Sequence, residues 1–296
     1  MKDTFSRCHP IINFLYFGFV FAFSAMIMHP FGLVVSLTCS TAYSIYLNGK
    51  KTVKFSLAGM LPMMIISALL NPAFNHEGAT ILTYLYSGNP LTLESIIYGI
   101  ASSAMLVSVI TWFSCYSAVM TSDKFVYIFG RIIPALSLVL SMTLRFVPKF
   151  KTQIKIVSNA QKCVGRDLSR GSVFLRMKSA IKILSIMIAW SLENAIETAD
   201  SMKSRGYGLP GRSAFSIYRF DTRDKRTLAI IGILGVMIIV GMVMGGAGYR
   251  YYPTVMYEIR SPITWAIFLC YLALCISPII MNESENRKWH AIKLKT

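Results

Sequence analysis

The chain is organised around the stretch Glu193–Gly208, which reads ENAIETADSMKSRGYG and ends a long helical pattern that begins at Val173. Near its end lies Ser204-Arg205-Gly206, with a glycine where a helix C-cap is expected. An arginine at a helix C-terminus also complements the negative end of the helix dipole, so a capped helix end explains the pattern. Because the segment is compact and basic, we also expect it to bind a partner protein.

The helix that leads into this segment is apolar on every side around Ile183–Leu192, so a single buried stripe cannot cover it. Two explanations remain open at this point. The helix packs against the chain's own Ile132–Leu144 segment, or it offers a surface to a neighbouring membrane protein. The candidate contact residues for such a partner are Ile183, Ile186, Met187 and Trp190.

The composition is that of a membrane protein. Of 296 residues, 54% are hydrophobic and 15% are charged, whereas about 25% of the residues in soluble domains are charged. Six cysteines are scattered without a C-x-x-C pair, and we interpret them as small buried hydrophobic residues in a reducing compartment. They are Cys8, Cys39, Cys115, Cys163, Cys270 and Cys275.

Six uncharged apolar runs predict about six membrane-spanning helices, because a bilayer core of about 30 Å needs roughly twenty apolar residues. The runs are Ile11–Met28, Phe31–Leu47, Phe55–Leu70, Ser95–Met120, Thr227–Gly246 and Ile263–Met281. We therefore predict an all-α polytopic membrane protein. Residues 1–120 are expected to hold transmembrane helices 1–4, and residues 121–226 a cytoplasmic helical domain. Residues 227–281 are expected to hold helices 5 and 6, and residues 282–296 a cytoplasmic tail.

The basic residues predict the orientation in the membrane. With six spans, one side holds both termini, the loop Asn48–Lys54 and residues 121–226, and with them 28 of the 30 lysines and arginines. The other side holds Arg250 and Arg260. By the positive-inside rule, we expect a multi-pass protein of the cell membrane with both termini in the cytoplasm. The net charge of +17 then reflects topology and attraction to the lipid bilayer, and it predicts no nucleic-acid partner.

Two segments outside the spans carry patterns of their own. Asn71–Leu93 has the composition of a loop, but its apolar run Ile81–Tyr86 is too short to cross a bilayer and is typical of a re-entrant or interfacial segment. Lys149–Val164 has apolar residues at helical spacing on one face and lysines elsewhere. This pattern predicts an amphipathic helix that stops at Gly165.

The predicted spans contain no ionisable residue, since Glu94 only touches the edge of the fourth. Proton relays, ion-coupled carriers and intramembrane hydrolases usually need such residues, so their absence argues against all three classes. No Walker A motif occurs, and the four histidines lie in loops or termini without metal-binding spacing. We therefore predict no catalytic residue, no metal site and no cofactor.

The segment Met202–Gly208 resembles the Ala-Met-Glu-Ala-Arg-Gly-Tyr segment of the transmembrane T component of energy-coupling-factor (ECF) importers, a group of ABC-type transporters. The resemblance extends over roughly Asn71–Lys225. It includes Asn71–Thr80, Gly88–Glu94, Thr121–Lys124, Leu144–Pro148 and Ala160-Gln161.

This resemblance implies that two arginine-bearing helix ends dock into grooves on a pair of ABC ATPase subunits. The second tip, as we call Ser204, Arg205 and Gly206, matches the family motif. The first tip, Cys163-Val164-Gly165, follows Ala-Gln as in the family but has Val164 at the arginine position. Arg166 or Arg170 could supply the missing charge.

The resemblance further implies that the chain is not an enzyme. A separate small membrane protein, the S component, would capture the substrate, typically a vitamin or a transition-metal ion. Ile183, Ile186, Met187 and Trp190 would contact that subunit and transmit the motion of the ATPases to it, which makes residues 121–226 a coupling domain.

Two rival functions remain open at this stage. A membrane-embedded enzyme would use Glu193, Glu197 or Asp200 as acid and base groups, although their spacing is ordinary for solvated helix charges. An autonomous carrier or channel is disfavoured by the uncharged spans.

Overall fold

The computed structural model describes residues 3–49, 59, 61–84, 90–165, 172–209, 218–246, 248–253, 256–257 and 262–293. The chain divides into two compact units. The first unit is Met1–Thr121 with Tyr218–Thr296, and the second is Ser122–Ile217.

Helices make up most of the described residues, and the predicted all-α polytopic membrane fold is confirmed. In chain order the helices are α1 (Pro10–Met26), α2 (Pro30–Asn48), α3 (Leu61–Phe74), α4 (Leu93–Val119), α5 (Ser122–Ile132), α6 (Pro134–Cys163), α7 (Val173–Ser204), α8 (Thr222–Val243) and α9 (Pro262–Lys293). A 3₁₀ turn at Phe5–Arg7 precedes them. Two antiparallel pairs of short strands are β1 (Ile81–Tyr84) with β2 (Pro90–Thr92), and β3 (Tyr249–Arg250) with β4 (Met256–Tyr257).

Four helices of the first unit are long and apolar enough to cross a membrane: α2, α4, α8 and the part of α9 up to Lys288. Helix α1 and residues 62–74 of α3 are apolar but shorter. Residues 55–58 and 60 of the predicted third span lie outside the described part of the chain. The structure therefore supports four of the predicted spans by length, and the remaining two rest on the sequence.

Helices α1 and α2 begin in the same way, with a histidine followed by a proline. His9 Nδ1 accepts a hydrogen bond from the N–H of Ile11 at 3.3 Å, and His29 Nδ1 accepts one from Phe31 at 3.3 Å. The proline stands at the first helical position, where the missing N–H costs no helical bond. Each His-Pro pair therefore both ends the preceding segment and caps the next helix.

Helices α1, α2 and α4 are joined by a small group of buried polar side chains. Ser24 Oγ lies 2.9 Å from Ser36 Oγ and 3.0 Å from Ser108 Oγ, and Trp112 Nε1 donates to Ser36 Oγ at 3.2 Å. All four residues are buried. Serines let helices approach closely and bond across the interface, which fixes the helix register in a lipid environment.

The predicted loop Asn71–Leu93 is more structured than its composition indicates. Its apolar run Ile81–Tyr86 contains β1, whose residues are exposed and pair with β2. Glu94, in the first turn of α4, is buried and accepts hydrogen bonds from the backbone N–H of Thr80 at 3.2 Å and from its hydroxyl. This carboxylate at the edge of the predicted span therefore holds the loop on the N-terminus of the helix.

Helix α9 continues twelve residues past Met281, into the predicted tail. Asn282 is buried, and its Oδ1 accepts the N–H groups of Thr4 at 2.8 Å and Phe5 at 3.2 Å. Further along the helix, Glu285 accepts a hydrogen bond from Arg223 of α8 at 2.8 Å. The polar residues that made this segment look like a tail are partners of the N-terminus and of α8.

The second unit consists of α5, α6 and α7. Helix α6 unites the part of the apolar run Ile132–Leu144 that follows Ile133 with the amphipathic pattern Lys149–Val164, which the sequence presents as separate segments, while Ile132 ends α5. It runs through Pro148, and the hydroxyl of Thr152 donates to the carbonyl oxygen of that proline at 3.2 Å. One continuous helix therefore carries both patterns.

Candidate docking tips and apolar stripe

The second tip ends α7 in a Schellman motif. Arg205 is the C-cap residue, with φ −85° and ψ 11°, and Gly206 follows at φ +74°. The N–H of Gly206 donates to the carbonyl oxygen of Lys203 at 3.0 Å, and the N–H of Tyr207 donates to that of Met202 at 3.0 Å. These bonds satisfy carbonyl groups that a helix end otherwise leaves unpaired. The backbone of the tip is therefore fixed, while the Arg205 side chain is exposed.

The first tip ends α6 with the same backbone. Val164 is the C-cap residue, with φ −89° and ψ 11°, and Gly165 follows at φ +79°. The N–H of Gly165 donates to the carbonyl oxygen of Lys162 at 3.0 Å. The side chain of Val164 is 70% exposed. The two candidate substitutes for the missing arginine, Arg166 and Arg170, lie outside the described residues.

The remaining predicted docking residues, Cys163 and Ser204, are also exposed. The expectation that a glycine follows each helix is met at both tips, since only glycine adopts positive φ at little cost. Docking on an ATPase stays a prediction for all of these residues.

The helix pair α6–α7 has its own small core. Ile183 and Met187 are 6% and 5% exposed and pack with Val157 of α6. Ile186 and Trp190 are partly buried at the edge of this cluster. Two of the four predicted contacts with a membrane subunit are therefore covered by the chain itself, which corresponds to the first of the two explanations left open by the sequence. The contacting part of α6 includes Val157, which lies outside the Ile132–Leu144 segment expected there.

Lys149 ties the two helices together at one end of this core. Its Nζ donates to Asn194 Oδ1 at 2.6 Å and lies 5.3 Å from the centre of the Trp190 ring. The Trp190 ring meets Phe150 edge to face, with ring centres 5.5 Å apart. Cation–π and edge-to-face contacts each contribute on the order of 1 kcal/mol. These contacts hold α6 and α7 at a fixed register.

Another face of α7 exposes a row of large apolar side chains, which we call the apolar stripe. Its members are between 52% and 65% exposed. They are Met177, Ile181, Leu184, Ile188, Leu192 and Ile196. Spacings of three and four residues place them on one side of the helix. Where the stripe meets α6, a groove of about 330 Å³ is lined by residues that include Phe150, Ile154 and Leu184.

Sequence reasoning missed the stripe, although its spacing is visible in the sequence. The residues of α7 that face α6 and those that face outward are both apolar, so no polar side chain distinguishes the two faces around Ile183–Leu192. A contiguous exposed apolar surface of this kind marks a site of protein or membrane contact.

The acidic residues of α7 that the sequence offered as acid and base groups lie at the surface. Glu193, Glu197 and Asp200 are all exposed. Within the described ranges, no three His, Cys, Asp or Glu side chains are grouped so that they could hold a metal ion.

Comparison with known protein families matches residues 4–217 to the family described as CbiQ, cobalt transport protein. The chain belongs to the CbiQ family. The match covers all of the second unit and the first four helices. The chain is therefore a transport protein of the membrane. Together with the EcfT relatives described next, the match identifies it as an EcfT-like T component of an ECF transporter.

Individual relatives agree with this assignment to the CbiQ family. The chain is similar to the energy-coupling factor transporter transmembrane protein EcfT of Streptococcus thermophilus, with 31% identity over 69% of this chain and 81% of that protein. It is also similar to the EcfT protein of Lacticaseibacillus paracasei, with 25% identity over 80% of this chain and 90% of that protein. The EcfT protein of Lactococcus lactis is 34% identical over 36% of this chain and 40% of its own length.

Proposed function

We propose that this T component transmits the ATP-driven motion of two ABC ATPase subunits to a separate small substrate-binding membrane subunit. The imported substrate would be a vitamin or a transition-metal ion held by that subunit. ATP hydrolysis takes place on the ATPases, and the chain itself is not catalytic. It needs no cofactor for this role.

The observation that carries the proposal is the construction of the second tip. The carbonyl oxygens of Met202 and Lys203 accept backbone N–H groups of the turn, and the side chain of Arg205 is exposed to solvent. A guanidinium offers five donors to an acidic groove, and its planar fork loses less entropy per hydrogen bond than a lysine ammonium would. This is the chemistry that docking on a partner protein requires.

The apolar stripe is the surface that we assign to the substrate-binding subunit. In the predicted contact with this subunit, the stripe takes the place of Ile183 and Met187, because α6 covers those two side chains. Ile186 and Trp190 are partly buried and stay at the edge of the proposed contact. A membrane subunit has apolar helices of its own, so burial of the stripe against them would remove its large exposed hydrophobic surface from water.

The helix pair α6–α7 connects these two surfaces. The tips lie at the ends of helices that are joined by the Val157–Met187 core and by the contacts of Lys149. When an ATPase moves a tip, a rigid helix moves as a body, and the apolar stripe on the same helix moves with it. We place this coupling domain, residues 121–226, in the cytoplasm together with both termini, and the multi-pass part of the chain in the cell membrane. The basic residues support that orientation.

The substitution Arg205→Ala tests the proposal. Loss of a buried charge-assisted contact costs about 2–5 kcal/mol of binding, so we expect ATPase association to weaken by a factor of roughly thirty or more. ATP-driven uptake should fall with it, while expression and membrane insertion stay at the level of the unmodified chain. The measurements are co-purification of the ATPases and uptake in vesicles.

Lys203→Ala is the matched control, because it removes the same charge from an exposed residue two positions earlier in the chain. It should leave both measurements nearly unchanged. If Arg205→Ala behaves like Lys203→Ala, the second tip is only a capped helix end. Turnover of a substrate by the purified chain alone would instead favour an enzyme or an autonomous carrier.

A further inference from the structure

The groove between α6 and α7 has an almost wholly apolar lining. Its residues include Ile154 of α6 and Leu184 and Ile188 of α7, and all of them except Ser191 are apolar. The hydroxyl of Ser191 donates to the carbonyl oxygen of Met187 at 2.9 Å, so its hydrogen is already used within the helix. The groove therefore suits hydrocarbon rather than a polar molecule.

A row of lysines on α6 borders this groove. Lys151, Lys155 and Lys162 occur at spacings of four and seven residues, which puts them on one face of the helix. Their side chains are exposed. Lys151 comes three residues before Ile154, so the lysine face adjoins the side of α6 that lines the groove.

A second pair of lysines borders the apolar stripe on α7. Lys178 and Lys182 are four residues apart and exposed, so they share one face of the helix. Lys178 comes three residues before Ile181, which belongs to the stripe. The stripe therefore has positive charge along its side.

The two lysine sets lie on the borders of one surface, because α6 and α7 run in opposite directions. Phe150 of α6 meets Trp190 of α7 edge to face. Seven residues later in α6, Val157 packs with Ile183, which lies seven residues earlier in α7. Helical spacing then puts the lysines of α6, the groove, the stripe and the lysines of α7 side by side in that order.

Neither helix has an acidic residue near these lysines. Helix α6 contains none, and the first acidic residue of α7 is Glu193. It follows Lys182 by eleven residues, or about 16 Å along the helix, which exceeds the Debye length of about 8 Å in physiological salt. The surface is therefore apolar in the middle and positive at both borders.

We infer that this surface binds an anionic phospholipid of the cytoplasmic leaflet, with an acyl chain in the groove and the phosphate at the lysines. Surfaces of this kind bind lipid through buried apolar area together with attraction to anionic headgroups. Lysine stems lie along apolar surface while their ammonium groups reach the phosphates. Both ends of the second unit are joined to the membrane-crossing helices α4 and α8, which tether the unit to the membrane.

The inference uses the cytoplasmic orientation of the proposed function but not the docking of the tips. The lipid covers Leu184 and Ile188 in a chain to which no substrate-binding subunit is bound. It is therefore tested on the chain alone.

The test uses the full chain in detergent micelles, with Ser185→Cys as its single cysteine, labelled with a polarity-sensitive fluorophore. Ser185 is exposed and lies next to Leu184 of the stripe. Phosphatidylglycerol should shift the emission to shorter wavelength at a lower concentration than phosphatidylcholine does. Changing Lys151 and Lys155 together to glutamine should raise the half-saturating concentration of phosphatidylglycerol about thirtyfold, because each lysine contributes about fivefold. The pair Lys178→Gln and Lys182→Gln should act alike.

Lys203→Gln is the control, because it removes an exposed charge of α7 that lies outside this surface. It should change the half-saturating concentration by less than about twofold. Arg205→Ala, which tests docking, should also leave the titration unchanged, so the two proposals fail independently.

Three results would overturn the inference. Equal binding of the two phospholipids would mean that the lysines do not recognise the headgroup. A loss in Lys203→Gln as large as in the lysine pairs would mean that only the net charge of the chain matters. An equal response to glycerol phosphate or to soluble RNA would mean that the surface binds any phosphate and that the groove holds no acyl chain.

Discussion

At the scale of the residue, the glycine of the second tip sets the direction in which Arg205 is presented. Gly206 has φ +74°, and a Cβ added there would lie 3.1 Å from Leu209 Cδ1. The sequence could predict this glycine, because a C-cap pattern needs a residue that tolerates the left-handed region. It also predicted that the helix of the first tip stops at Gly165, but it could not predict the exposure of Val164, which depends on the tertiary structure.

A substitution series at Gly206 tests whether this conformation matters for docking. Asparagine visits the left-handed region more readily than alanine, and valine is the least tolerant because it is β-branched. We expect ATPase association to decrease in the order glycine, asparagine, alanine, valine, with a strain of about 1–2 kcal/mol for alanine. Gly165, whose added Cβ would meet nothing within 4 Å, gives the same backbone test without the contact to Leu209.

The series is read by titrating purified ATPase onto membranes that contain each variant. If Gly206→Val binds as tightly as the unmodified chain, the tip is not held in the left-handed turn during docking, and the fixed support that we assign to Arg205 is wrong.

At the scale of the element, α7 has two apolar faces with different partners. Met187 is 5% exposed and belongs to the core with α6, whereas the next residue, Ile188, is 52% exposed and belongs to the apolar stripe. Substitutions at these two adjacent positions therefore distinguish the stability of the helix pair from the proposed contact with another subunit. The sequence could not make this separation, because both faces are apolar; it likewise could not show that α6 continues through Pro148.

We expect Met187→Glu and Ile188→Glu to have different consequences. A carboxylate at position 187 is buried in an apolar cluster, which costs several kcal/mol and should lower the thermal stability of the chain. At position 188 the carboxylate stays in water in the isolated chain, so stability should change by less than about 0.5 kcal/mol. It should nevertheless weaken binding of the substrate-binding subunit, since the contact would then bury it.

Thermal unfolding of the purified chain and co-purification of the membrane subunit measure the two effects. Equal losses of stability in both variants would mean that the stripe packs on the chain itself. A stable Ile188→Glu chain that assembles and transports normally would remove the stripe from the coupling pathway.

At the scale of the whole molecule, the distribution of basic residues predicts the orientation in the membrane. With six spans, 28 of the 30 lysines and arginines lie on one side of the membrane, which the positive-inside rule assigns to the cytoplasm. In contrast, the strand pair around residues 81–92 and the helical end of α9 depend on contacts with distant residues such as Glu94 and Thr4. Local composition cannot report such contacts, which is why both segments resemble loops in the sequence.

The orientation is tested with single cysteines in a chain that lacks the six native ones. Cysteines that replace Lys51, Gly171 and Lys288 should be protected from an impermeant thiol reagent in intact cells. Cysteines that replace Asn75 and Thr254 should be labelled, because the positive-inside rule puts these positions outside. Labelling of position 171 from outside the cell would reverse the arrangement and move both tips away from ATP.

The contact between Asn282 and the first residues has a consequence for the order in which the protein is made. The backbone N–H groups of Thr4 and Phe5 leave the ribosome well before their acceptor, which lies 278 and 277 residues further along the chain. Until α9 has been synthesised, the N–H groups of Thr4 and Phe5 lack this acceptor, and the fully buried Phe5 ring lacks its final surroundings. Formation of this buried contact therefore requires that α9 has been synthesised, which makes a chain that contains α9 distinguishable from a shorter nascent chain at the turn Phe5–Arg7.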